Sequence, residues 1–242
     1  MVHFFSKKEQ RNVANIVYAW YNKINALKQR ERSTKMKILI GTTNPAKLNY
    51  YKGILQEYEV ECISLKDLAI YDEPAETGNT PVKNSELKVK FYSKYYDTVI
   101  CNDAGLYINE IPIEDERQPA LKIRSPYGVR LNDDEMIEYY SNLVKSLGGK
   151  VTCYYLDGVS IYNKGKIYNF TAPNVIERAF YMVDKPSATR RNGWPLDSLS
   201  INRDNLKYFV DVENPVKTNR EELDSALKNF IVNSLNLDKK EI

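Results

Sequence analysis

The sequence predicts a mixed α/β domain with a basic helical extension at its front, and three observations carry that prediction. From Met36 onward, short apolar runs alternate with capped, amphipathic stretches. Beyond Gly149 the runs alternate residue by residue, as strands of an antiparallel or mixed sheet do. No internal repeat, low-complexity segment or Pro-, Gly- or Ser-rich linker divides residues 36–235. The chain therefore reads as a helical extension over 1–35, one domain over 36–235 and a polar tail over 236–242.

In the extension, Val13, Ile16, Val17, Trp20, Ile24 and Leu27 recur at helical spacing and predict an amphipathic helix over roughly residues 7–30. Its end, "KQRERSTK", is basic, which suits a helix C-terminus. The domain opens with "KILIGTT" as a buried strand, "NPAKLNYYKGIL" as a loop entering a helix, and "YEVECISL" as a second strand. Thr80 near an N-cap and Pro81 at the first helical position open a long helix. "TVICNDAGLYI" reads as strand, turn, strand, with Asn102 and Asp103 at the turn. "NDDEMIEYYSNLVKSL" is a capped helix that stops at Gly148 and Gly149. "KVTCYYLDGVSIYN", "GKIYNFTAPNVI" and "LKYFVDVENP" read as strands, and "TNREELDSALKNFIVNSL" as an amphipathic helix capped by Thr218 or Asn219.

Composition narrows the chemistry. With 242 residues, 43% hydrophobic and 28% charged, the chain has an ordinary globular composition and enough length for a real core. No run is long and apolar enough to span a membrane, and the N-terminus lacks the apolar core of a secretory signal. Cys62, Cys101 and Cys153 form no CxxC pair, which fits free thiols in a reducing cytoplasm. His3 is the single histidine, so Ser-His-Asp triads and histidine-containing zinc sites are excluded from the domain. A metal here would be held by oxygen, which favours magnesium or a similar hard cation. Any general base is a carboxylate, a lysine or a tyrosine. The net charge of +3 is uneven: residues 1–35 hold eight Lys or Arg against two Glu, and the remainder holds 27 basic against 30 acidic residues. The domain is thus near neutral and implies no general nucleic-acid surface. The basic front helix reads first as a solvated face packed on the body or a partner, and second as a surface for a membrane or RNA.

Three places could carry chemistry. "GTTNPAK", Gly41 to Lys47, joins a strand to a helix with small and polar residues whose N–H groups and hydroxyls suit an anion, and it lacks the Walker pattern. Glu76 precedes a Thr-Gly turn and Asp103 stands at the end of an apolar run, so the two carboxylates could share a magnesium ion. Lys83, Lys88 and Lys90 lie along the intervening helix, with Lys88 on about the same face as Asn84. Taken singly, each also fits a wet helix face or a turn cap.

In their order these pieces resemble a family, the inosine triphosphatase group, also called HAM1 or RdgB-type non-canonical purine nucleoside triphosphate pyrophosphatases. "TTNPAK" resembles its T-x-x-N-x-x-K loop, with Asn44 and Lys47 in register and Thr42 and Thr43 just before them. Glu76, Thr77, Gly78, Thr80, Asn84 and Lys88 meet its E-T-G-x-T-x-x-x-N-x-x-x-K run, and "NDAGL" its acidic pair before Gly and Leu. "NGWPLDS" is similar to its base-binding turn and "TNREELDSALKNF" to its Ser-His-Arg motif. The resemblance covers about residues 36–235. It implies an elongated mixed sheet with flanking helices, two lobes around a nucleotide cleft, and a homodimer. The implied reaction is attack of water on the α-phosphorus of a (deoxy)nucleoside triphosphate, giving the monophosphate and pyrophosphate. By the same resemblance Thr42 to Lys47 hold phosphates and Glu76 and Asp103 bind Mg2+. Asp103 activates water, Lys88 neutralises phosphate charge, and Ala104 and Asp197 contact substrate. Trp194 stacks on a base whose carbonyl edge Arg220 and Asn219 meet.

The departures fall mostly on the base side. Asn102 stands where the acidic pair has its first carboxylate, and Ala104 where the family has Ser. Pro195, Leu196 and Ser198 alter the base turn, and Thr218, Asn219 and Arg220 replace Ser-His-Arg. A shifted base preference is therefore expected, since a site built for one polar edge rejects others. Two other readings compete: a catalytically impaired nucleotide-binding protein of the same fold, with Asn102 as its support, and an interaction protein acting through the N-terminal helix.

Overall fold

The computed structural model describes residues 20–21, 35–173, 178–211 and 219–240. The chain divides into two compact units, Met1–Met36 and Lys37–Ile242. Trp20 and Tyr21 are helical; the rest of the helix expected over 7–30 lies outside the described residues, as do the end of "GKIYNFTAPNVI" and the cap candidate Thr218.

The strands are β1 (Met36–Ile40), β2 (Val60–Ser64), β3 (Thr98–Ile108), β4 (Lys150–Asn163), β5 (Lys166–Thr171), β6 (Phe180–Val183) and β7 (Ser200–Ile201). The helices are α1 (Pro45–Ile54), α2 (Pro81–Tyr92), α3 (Asp133–Ser146) and α4 (Asn219–Leu235). All seven strands join one mixed sheet in the order β2-β1-β3-β4-β6-β7, with β5 also on β4. β1 runs parallel to β3, and the pairs β3–β4, β4–β5, β4–β6 and β6–β7 are antiparallel. β4 is long enough to serve two partners on one edge: Lys150–Cys153 pair with β6 and Gly158–Asn163 with β5.

Local chemistry sets the helix starts. Asn44 caps α1, Thr80 caps α2 ahead of Pro81, and Asn132 with Glu135 forms a reciprocal capping box on α3. Gly148 and Gly149 take positive φ after α3, as a left-handed stop requires. Gly158 lets α2 lie directly on the sheet, since a Cβ there would come within 2.2 Å of the Val82 nitrogen.

Two expectations need correction. "TVICNDAGLYI" is one continuous strand of 11 residues, not strand, turn, strand. A carboxylate is tolerated in mid-strand because α2 brings it partners, described below. "LKYFVDVENP" is not a strand: Tyr208 makes a single bridge to Ile201 and Phe209–Asp211 form a 3-10 turn, while residues 212–215 lie outside the described residues. β6 and β7 went unread because four and two residues are too short to show a period. Near the C-terminus, Lys239 bridges to Tyr58 and Lys240 N–H bonds the Glu57 carbonyl at 2.9 Å.

Two apolar clusters hold the sheet. One joins Leu39, Ile63, Val89, Tyr92, Val99 and Cys101 between α2 and the β1–β3 end. The other joins Leu106, Ile108, Met136, Tyr140, Phe180 and Met182 between α3 and the β4–β6 end. A cleft of about 1290 Å³ opens beside them, larger than an ordinary small-molecule pocket. Among the described residues no helix is long and apolar enough to cross a membrane.

Candidate functional site

The cleft begins where β1 stops. β1 pairs Leu39 with Val99 and Ile40 with Ile100, and Gly41 N–H closes on the Ile100 carbonyl at 2.9 Å. β3 runs on alone along that edge until Leu106 N–H meets the Ala120 carbonyl at 2.9 Å. By the two-residue alternation of a strand, the backbone polar groups of Asn102 and Ala104 point into the gap between. The Thr42–Asn44 loop and the N-terminus of α1 border the same gap.

In that loop the side chains are braced. Asn44 Oδ1 accepts from Ala46 N–H at 2.9 Å, and its Nδ2 donates to the Gly193 carbonyl at 3.0 Å. Thr42 Oγ1 accepts from Asn44 N–H at 3.2 Å, and Thr43 Oγ1 donates to Glu73 Oε1 at 3.2 Å. Asn44 thus positions the loop, and the Thr43 hydroxyl proton is engaged by Glu73. Lys47 lies one turn into α1, half-buried, and its ammonium makes no ion pair among the described residues. Burial and the neighbouring Lys88 charge push its pKa down, against the opposing pull of Asp103, Asp157 and Glu76.

Across the gap, Lys88 Nζ stands 2.8 Å from Glu76 Oε1 and 3.3 Å from Asp103 Oδ1. Burial acts to lower the Lys88 pKa, but the two carboxylates outweigh it and hold it above the usual lysine value. Asn84 completes the group: its Nδ2 donates to Asp103 Oδ2 at 2.9 Å and its Oδ1 accepts from Gly78 N–H at 2.8 Å. One amide therefore fixes both the buried carboxylate and the loop that carries Glu76.

Glu76 and Asp103 converge on a single cation, the Lys88 ammonium, so they can face a common positive charge. Among the described residues no three His, Cys, Asp or Glu side chains gather as a metal cage. Two hard carboxylates without a cage fit magnesium, which usually keeps several waters and substrate phosphate oxygens in its shell. Asn102 is not beside Asp103 in this arrangement. The β3–β4 register puts Asp103 with Gly158 on the face covered by α2, and Asn102 and Ala104 with Val159 and Asp157 on the other.

The other wall of the cleft carries the turn of Gly193 to Ser198. Gly193 takes φ +80°, and a Cβ there would meet Asn44 Oδ1 at 2.7 Å and the Ala46 Cβ at 2.8 Å, so glycine is required where this turn touches the α1 loop. Gly193 N–H also donates to Asp133 Oδ2 at 3.2 Å. Trp194 is half-buried and Asp197 accepts from Arg191 Nη1 at 2.7 Å; both line the cleft. Asn219 and Arg220 open α4, but their side chains lie outside what is described. Arg191, Asp157 and Arg178 also line the cleft and were not anticipated. Asp157 left a trace in the sequence, as a charge interrupting an alternating apolar strand.

Comparison with known proteins now bears on this geometry. The model of the Ham1 family matches residues 38–145. The dITP/XTP pyrophosphatase of Thermoanaerobacter pseudethanolicus is 29% identical over 215 residues, covering 83% of this chain and 98% of that protein. That of Protochlamydia amoebophila is 24% identical over 190 residues, covering 75% and 89%. The Staphylococcus aureus Ham1 protein shares the fold with a TM-score of 0.60 at 21% identity, over 82% of this chain and 99% of that one. A HAM1 protein from Coxiella burnetii does so at 0.61 and 15% identity, with the same coverage. The chain is thus similar, over residues 38–145, to the Ham1 family, the HAM1/inosine triphosphatase group that its motifs resemble, and its relatives and fold neighbours are Ham1-type proteins.

Proposed function

We propose that this protein is a nucleoside triphosphate pyrophosphatase, hydrolysing a (deoxy)nucleoside triphosphate to the monophosphate and pyrophosphate. The observation that carries the reading is the convergence of Lys47, Lys88, Glu76 and Asp103 at the open edge of β3. Phosphoryl transfer needs positioning and charge neutralisation more than an elaborate nucleophile, and these residues supply both. Lys47, without an ion pair among the described residues, takes the charge of the phosphate chain, with the Thr42–Asn44 loop fixing its register. Asp103, held by Asn84 and Lys88, orients the attacking water and accepts its proton as the oxygen bonds to the α-phosphorus and the pyrophosphate leaves. Lys88 shares its charge between the carboxylates and the phosphates. Magnesium held by Glu76 and Asp103 would neutralise phosphate oxygens and favour departure of pyrophosphate.

The impaired-binder reading loses its support, because Asn102 lies on the other face of β3 from the Asp103 cluster. For the base, a preference shifted within the purines is the proposal, with Trp194 as stacking surface and Asp197, Asn219 and Arg220 as its polar surroundings. The division into a 1–35 extension, a 36–235 domain and a 236–242 tail is retained, and so is work in the cytoplasm as a homodimer. The deciding experiment measures products from standard and deaminated triphosphates with and without magnesium. Equal amounts of monophosphate and pyrophosphate are expected, only with the metal; diphosphate and orthophosphate would refute the reading.

A further inference from the structure

The cleft floor carries a carboxylate that has no part in the chemistry above. Along β4, Val151, Cys153, Tyr155, Asp157, Val159 and Ile161 share a face that is apolar but for Asp157. Asp157 pairs with Ala104, and Asn102 pairs with Val159, so Asn102 and Asp157 are diagonal neighbours on one face of the sheet, and both line the cleft. A charge in an apolar strand is costly unless something holds it. Arg178, two residues before β6, holds this one: its Nη1 donates to Asp157 Oδ2 at 3.4 Å. The guanidinium is the more deeply buried partner, 12% exposed against 30% for Asp157, so the carboxylate keeps an open side in the cleft.

Lys47 and Tyr51 lie four residues apart on α1, hence on one face, and Tyr51 is fully buried, so this is the face that packs on the domain. The Asp157 charge reaches both side chains. Four charged groups bear on Lys47: Lys88 of α2, Asp103 of β3, Asp157 of β4 and Glu76 of the loop before α2. Glu76 and Asp103 are already engaged by the Lys88 ammonium, and they are the two carboxylates proposed above for magnesium. Of the other acids that line the cleft nearby, Glu73 accepts from Thr43, and Asp224 of α4 accepts from the Tyr50 hydroxyl at 2.6 Å. Asp157 is therefore the carboxylate left to serve Lys47.

We propose that Asp157, anchored by Arg178, is a positioning residue for Lys47: from β4 it supplies the fixed negative charge that serves the phosphate-binding ammonium from the cleft floor. The inference rests on the pyrophosphatase reading for the role of Lys47, and it places on β4 a charge that Asn102 does not supply from β3. Burial and the Lys88 charge both act against the protonated form of Lys47, and Asp157 offsets them. Because Arg178 already pairs with Asp157, the carboxylate does not close a salt bridge on Lys47, and the ammonium stays open to a phosphate oxygen.

The test follows the alkaline limb of kcat/KM for pyrophosphate release. Asp157→Asn is expected to move that limb to lower pH by about half a unit or more, because Lys47 loses a charge that favours its protonated form. In a Lys47→Arg background the same substitution should leave the limb in place, since arginine stays protonated. Adding Asn102→Asp to Asp157→Asn returns a carboxylate to the same face one strand over, and should bring the limb back. If Asp157→Asn strands the Arg178 charge and does not fold, Asp157→Asn with Arg178→Gln removes both charges and carries the comparison, with the shift in the same direction. A purely structural Asp157 would lower kcat/KM at every pH and leave the limb unmoved, and that result overturns the proposal. A shift that persists in the Lys47→Arg background, or that Asn102→Asp does not reverse, overturns it too. If the wild type releases pyrophosphate from no triphosphate, the pyrophosphatase reading falls separately. Calorimetric binding of pyrophosphate without metal, in the wild type and Asp157→Asn from about pH 7 to 10, then decides Asp157 by the same displacement.

Discussion

The two sides of the cleft are built differently. On the phosphate side, Thr42 to Lys47, Glu76, Asn84, Lys88 and Asp103 come from three short segments, and Asn84 and Lys88 tie two of them together. The match to the Ham1 family, residues 38–145, takes in every one of these residues. On the base side, Trp194 and Asp197 come from a segment beyond that match. Asp197 is held by Arg191, and the turn is pinned to the phosphate loop through Gly193 and Asn44. Phosphates are the same in every nucleoside triphosphate, so their receptor needs fixed charges at fixed spacing. A base is read by its edge, and different side chains can supply the complementary donors.

Removing the acceptor on the phosphate side should have the largest effect. Asp103→Asn is expected to lower kcat by about 10²–10⁴-fold, the range for loss of a general base, while nucleotide binding measured by calorimetry persists. Near-full activity of that variant would remove Asp103 from the reaction and dissolve the contrast between the two sides. Next comes the charge of Lys47. Its pKa is pushed down by burial and by Lys88, and the protonated form is the one that holds phosphate. The kcat/KM profile should therefore fall on the alkaline side below the ordinary lysine value of about 10.4. Arg stays protonated, so Lys47→Arg should move that limb to higher pH; an unmoved limb would assign it to another group. For stability the sign is opposite. The unfolded chain binds this proton more tightly, so the fold gains stability as pH rises through the window between the lowered and ordinary values.

The smallest effect is expected where the sequence departs most visibly from the Ham1 pattern. Asn102→Asp should change kcat/KM by less than about threefold, because residue 102 is half-buried on the opposite face of β3 from Asp103 and its side chain does not join the Asn84–Lys88 cluster that holds Asp103. A gain of tenfold or more in metal affinity or rate would show that the acidic pair acts as a unit despite the alternation of β3.

Much of this was legible before any coordinates. Thr80 and Pro81, the capped start of "NDDEMIEYYSNLVKSL" and the paired glycines after α3 mark helix ends through local hydrogen bonds and backbone preference alone, and those readings hold. The phosphate-side motifs were legible for a similar reason: a strand, a loop and one helix turn place Lys47, Glu76 and Lys88 by short-range spacing. The polar pair Asn102–Asp103 was misread as a turn, because a carboxylate in a buried strand is unfavourable until Asn84 and Lys88 arrive from another element. β6 and β7 escaped notice because they are ordered by pairing rather than by their own pattern.

By itself the sequence determined the helices of the domain and its first strands, the absence of histidine chemistry from the domain, the carboxylates and lysines of the phosphate side, and the likeness to the Ham1 family. Only the tertiary structure decided which of those groups meet. Alternation along β3 sends Asn102 away from Asp103, the register of β4 sets Asp157 beside Ala104, and the approach to β6 brings Arg178 to Asp157. Spacing along a chain fixes neighbours within a turn or a strand, whereas the floor of the cleft is assembled from side chains that long-range pairing alone brings together.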